Sequence, residues 1–211
     1  MPTLNLHAMN KFMKDWMEEL DDLDIHLNLE TDEITEAFEN QKAKFQSFLT
    51  ESAAKLDEKA AELKLSEKAT NLRSRLEELQ LQLALGKAET RDAFEEQREK
   101  LDTSLNEAGT EYKAFKEKAE EQYHHLADEF HEVTEKFRTK MEVLRLQYAL
   151  AKADMKEEFA EKKVEISQKL QELRNKSEAD KEKAEDKWDE FKEEISEAYN
   201  NFKETLKGLF S

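Results

Sequence analysis

Glu121, His124, His125, Asp128 and His131 are the one group in the chain with the residue types and spacing of metal ligands. Glu121 with His124, and Asp128 with His131, stand at the offset by which a carboxylate and an imidazole on one helix serve a di-iron bundle. Such a site also draws facing carboxylates and a second pair from another helix, and the remaining histidines, His7 and His26, have no such setting. Polar helical positions are mostly solvated. The group therefore reads as a polar face, with a metal-binding bundle as a subsidiary alternative and no metal ligand expected. Gly86 lies among helix-forming residues and is not a nucleotide loop; it reads as a tolerated helix glycine. The chain has no cysteine, no glycine-rich phosphate cradle and no serine beside a base. No catalytic residue, no cofactor and no enzymatic activity are expected.

The elements that would carry any site are set by a pattern that occurs three times. Leu79 to Phe94 reads LQLQLALGKAETRDAF, Leu23 to Phe38 reads LDIHLNLETDEITEAF, and Leu144 to Phe159 reads LRLQYALAKADMKEEF. The marker residues Phe38, Phe94 and Phe159 stand 56 and 65 residues apart, a period that points to a repeated architectural unit. Apolar residues alternate within each copy, as in a strand. The intervening Gln, Ala, Arg, Lys and Glu favour helix, and the spacing on both sides is helical. On a helix, positions two apart are about 200° apart, so Leu79 and Leu83 share one face while Leu81 and Leu85 share nearly the opposite one. The second face in the three copies comprises Ile25, Leu29, Leu81, Leu85, Leu146 and Leu150. It is expected to point out of a bundle and is the candidate interaction face.

A ladder of apolar residues runs through these copies. Trp16, Leu20, Leu23, Leu27, Phe38, Phe45 and Leu49 are followed by Leu72, Leu76, Leu79, Leu83, Phe94, Leu101 and Leu105. Phe137, Met141, Leu144, Tyr148, Phe159, Ile166 and Leu170 match the second set. The mean spacing is about 3.67, which belongs to an eleven-residue repeat and predicts nearly straight helices. The pattern weakens at Thr50–Leu56, at Asn106–Tyr112 with Gly109, and at Gln171–Ser177, and these are expected to be turns. A proline at Gly109 is accordingly expected to be better tolerated than one at Ala88. The fold class is all-α: an elongated antiparallel bundle of long, nearly straight, coiled-coil-like helices, three long and a shorter C-terminal one. Its repeats span about 3–53, 56–107 and 110–174, with a half repeat at 178–211, in one domain covering 1–211. A helix of about 50 residues would be about 75 Å long.

Of the 211 residues 40% are charged and 37% hydrophobic, with three glycines and one proline, the composition of long helices around a thin core. The formal charge of −17, with lysine and arginine interleaved with glutamate, argues against nucleic acid and anionic membranes. No window has the apolar length of an integral membrane segment and the start lacks a secretory pattern, so a cytoplasmic location is expected. The favoured expectation is a non-enzymatic structural, scaffold or adaptor protein. It would act through helix–helix self-assembly or through a partner helix. The alternative is an amphipathic-helix protein that coats lipid or another apolar surface, with peripheral lipid association in the manner of apolipoproteins or phasins.

Overall fold

The computed structural model describes residues 6–30, 32–63, 66–117, 124–151, 156–179 and 188–210. Among them there is helix and no strand. The helices are α1 (Leu6–Leu27), α2 (Glu33–Leu63), α3 (Ser66–Leu83), α4 (Arg91–Lys116), α5 (His124–Leu150), α6 (Lys156–Ala179) and α7 (Trp188–Gly208). Among the described residues seven helices thus stand where three long and one short were expected, and the longest of them, α2, has 31 residues. The expected turns at Thr50–Leu56, Asn106–Tyr112 and Gln171–Ser177 lie inside α2, α4 and α6.

Helices end instead within each copy of the repeated pattern. One ends at Leu27, Leu83 and Leu150, and the next begins at Glu33, Arg91 and Lys156. A second set of ends, at Leu63, Lys116 and Ala179, falls about half a repeat later. Between these breaks the helices follow one another in pairs, α2 with α3, α4 with α5 and α6 with α7, preceded by α1.

The break between α3 and α4 shows the local cause. The ladder residues Leu83 and Phe94 are separated by ALGKAETRDA, which places Lys87 and Thr90 where a continuing helix would turn apolar side chains to the core. Thr90 then caps α4: its backbone is extended, at φ −126° and ψ 158°, and its hydroxyl accepts the Ala93 N–H at 3.2 Å. Asp92 in the first turn and Lys113 and Lys116 in the last complement the helix dipole.

The chain forms two compact units, Asp32–Met141 and Met1–Thr31 with Glu142–Ser211, so α5 contributes to both. In the first, neighbouring helices alternate in direction. Arg73 pairs with Asp57 (2.8 Å) between α3 and α2, Arg75 with Glu107 (3.0 Å) between α3 and α4, and Arg138 with Asp102 (3.2 Å) between α5 and α4. Phe45 stacks on Phe137 with ring centres 4.5 Å apart, which joins α2 to α5. Phe38 meets Phe94 edge to face at 4.9 Å at the end where α3 turns into α4.

In the second unit Trp16, Leu20, Leu23 and Leu27 of α1 join Ile166, Leu170 and Leu173 of α6 and Ile195, Phe202 and Leu206 of α7. Val143, Leu146 and Ala149 at the end of α5 complete this core. Trp16 meets Tyr199 edge to face at 5.0 Å, and Arg174 pairs with Asp21 at 2.8 Å. Almost every ladder residue is buried as its spacing requires; the Phe159 side chain lies outside the described residues. No helix among the described residues is long and apolar enough to cross a membrane.

Candidate functional site

The candidate interaction face divides by copy. In the second copy Leu79 and Leu83 point into the core while Leu81 is 69% exposed and Leu85 42% exposed. The half-turn offset between odd positions delivers this directly. Leu85 lies just beyond α3, where the Ala84 N–H still reaches Gln80 O at 3.0 Å and the Leu85 N–H bonds Gln82 O at 3.3 Å.

Side chains from α2 and α4 hold this segment in place. The Lys42 ammonium, on a side chain only 3% exposed, donates to Leu85 O at 3.1 Å and to Gln97 Oε1 at 3.2 Å, and pairs with Glu39 at 2.9 Å. The same charge lies 5.0 Å from the centre of the Phe38 ring. The Gln97 amide donates to Gly86 O, and the Thr35 hydroxyl donates to Ala88 O at 3.3 Å. Backbone carbonyls past the end of a helix are thus met by fixed donors, and the Ala88 side chain is tucked beneath them. Leu85 is presented on a pinned segment. Around Leu81 the α3 surface is ionic: Arg73 pairs with Glu77 at 3.1 Å and Arg75 with Glu78 at 2.7 Å. Hydrogen bonding to Glu77, then the attraction of Asp57, raises the Arg73 pKa above its ordinary value; Glu78, then Glu107, does the same for Arg75.

In the first copy Ile25 is 61% exposed and Leu29 half-buried. Asp21, Asp24 and Asn28 are exposed beside it, and the Asn28 amide donates to Asp24 O at 2.8 Å. His26 is buried, with Nδ1 hydrogen-bonded to Asp22 O.

The third copy departs from the expectation. Leu146 is fully buried and Leu150 is half-buried against the same core, so neither points out of its unit. Val143 and Ala149 flank Leu146 at helical spacing and complete an apolar stripe that α1, α6 and α7 cover. The corresponding neighbours of Leu81 are Glu78 and Ala84. The Gln147 amide donates to Leu27 O at 2.5 Å and closes the end of α1, as Lys42 closes the segment after α3.

Of the histidine group, Glu121 lies outside the described residues, His124 is half-buried, and His125, Asp128 and His131 are exposed. Asp128 pairs with Lys116 at 2.5 Å. Among the described residues no three His, Cys, Asp or Glu side chains stand together as a metal site. No protein-family model, curated protein or solved structure matches the chain.

Proposed function

We propose that this protein is a non-enzymatic structural or adaptor protein that acts by helix–helix association through the end of α3, with Leu81 and Leu85 as the apolar centre of the contact. The observation that carries this reading is the exposure of both leucines beside a pinned segment. A surface fixed before association loses little conformational entropy when a partner covers it. The ionic pairs of Arg73 and Arg75 supply a polar rim of the kind that surrounds the buried centre of an interface. Two leucines each worth roughly 1.5 to 3 kcal/mol on full burial make a weak contact alone, and the symmetric pairing of two copies doubles that number. A second copy of this chain is therefore the first partner to test.

The absence of cysteine from the sequence makes the test clean. A single cysteine in place of exposed Ala84 should cross-link two copies efficiently with a short bifunctional maleimide. A cysteine in place of exposed Glu193 should not. Equal cross-linking at both positions, or none at Ala84→Cys, contradicts association through this surface.

A further inference from the structure

Lys42 is 3% exposed, the most deeply buried lysine among the described residues. Lysine is almost never fully buried unless it is paired, and taking an ammonium out of water is costly. We infer that Lys42 is the positioning residue of the association surface: it holds Leu85 ready for a second copy of the chain, and removing its ammonium loses association while keeping the fold. This inference rests on the reading that copies associate through the end of α3.

Lys42 acts on the segment after α3 in two ways. Its ammonium donates directly to Leu85 O at 3.1 Å. It also donates to Gln97 Oε1 at 3.2 Å, which orients the amide so that its other end donates to Gly86 O. One cation on α2 therefore sets two successive carbonyls, the second of them through α4. Glu39, one turn earlier on α2, lies 2.9 Å from the ammonium and supplies its counter-charge. A neutral side chain performs the single version of this task at the end of α1, where the Gln147 amide meets Leu27 O. An ammonium has three donors and can face the carbonyl, the Gln97 oxygen and Glu39 together.

Packing does little to fix this path. Between Leu83 and Phe94 the one buried residue is Ala88, a small side chain, so the course of the segment past Leu85 depends on side-chain donors. Stability of the fold depends on Lys42 much less. Glu39 and Gln97 are only half-buried and can turn to water when the ammonium is gone. Replacing a buried charge by an apolar side chain of similar volume is often close to neutral for a fold, and methionine has that length without the charge. A segment released in this way has to be ordered again when a partner covers Leu85. A symmetric dimer contains the segment twice, so the cost is met twice.

The experiment reads segment mobility and association separately in the full chain. A nitroxide spin label on Lys87→Cys, an exposed position in a chain without cysteine, reports mobility at a concentration where the chain is monomeric. Association is measured on unlabelled protein by sedimentation equilibrium. With Lys42 present the label should be restrained. Lys42→Met should free it and weaken association about tenfold at unchanged helix content. Gln97→Ala, which removes only the indirect contact, should free it less and weaken association about threefold. Leu101→Ala, a cavity in the core of the same unit, should lower the urea midpoint and leave mobility and association unchanged, which separates positioning from stability. A label still restrained in Lys42→Met, or association as strong as in the wild type, overturns the inference; if Lys42→Met does not fold, the same two results in Gln97→Ala overturn it. A wild-type chain that stays monomeric overturns the association reading and this inference with it, whereas a wild-type dimer untouched by both variants overturns this inference alone.

Discussion

Leu81 and Leu146 occupy the same place in their repeats and have opposite surroundings: one stands out in solvent and the other is at the centre of a core. The difference was legible one helical turn earlier, where Glu78 precedes Leu81 and Val143 precedes Leu146. Alternation alone gives two apolar sides to each copy. Only the third continues the second side into a stripe that neighbouring helices can cover. Leu146→Ala should therefore cost about 2 to 5 kcal/mol in urea unfolding, while Leu81→Ala stays within about 0.5 kcal/mol; similar losses at both would contradict the assignment. The Lys42 arrangement was not legible, because a lysine in a charged helix signals a solvated position until the segment it binds is placed. Tyr112 gives a pH test. Burial above all, only partly offset by its hydrogen bond with Ser52, pushes its phenol well above the ordinary value. The folded state then keeps its proton where the unfolded chain ionises. Stability is intact below about pH 10 and is lost progressively as pH rises from there toward the raised folded value. Tyr112→Phe should flatten that alkaline decline; an unchanged slope would contradict the cause.

At the scale of elements, the ladder found the core but misplaced the turns. Leu27 to Phe38, Leu83 to Phe94 and Tyr148 to Phe159 are intervals of eleven residues, and eleven residues make three whole helical turns at about 3.67 per turn. A break of that length preserves the phase of the ladder, so periodicity runs through it as if the helix continued. The available signal was the polar residue one turn into each interval, Thr31, Lys87 and Lys152, where the ladder would need an apolar side chain; Ile34 and Met155 restore it in the first and third. Gly109 misled in the opposite sense, since glycine breaks helices by propensity and here sits well inside α4. Gly109→Ala should accordingly stabilise the protein by about 0.5 to 1 kcal/mol. Gly109→Pro should cost about 3 kcal/mol or more, the reverse of what a turn would give. Thr90→Ala, which removes the acceptor for Ala93 N–H, should cost about 1 kcal/mol. Thermal unfolding of the three variants checks all of these signs together.

For the whole molecule, an all-helical chain with inward ladders was evident from composition and spacing, whereas its division into two compact units was not. The ladder passes from Met141 to Leu144 without interruption, and the change of unit falls there, inside the continuous helix α5. Charge patterning accounts for what remains on the surface: large exposed apolar side chains are few among the described residues, and Leu81 and Leu85 are two of them. Isolated exposed leucines on soluble proteins are ordinary; a pair beside a pinned segment is the basis of the association reading. The direct test is the molar mass by sedimentation equilibrium over a broad concentration range, for the wild-type chain and for Leu81→Gln/Leu85→Gln. The account predicts a wild-type mass that rises above the 24.8 kDa of one chain toward twice that value, and a variant of unchanged helix content that stays at one chain. A wild-type protein that remains at 24.8 kDa throughout, or a variant that associates as strongly as the wild type, would contradict it.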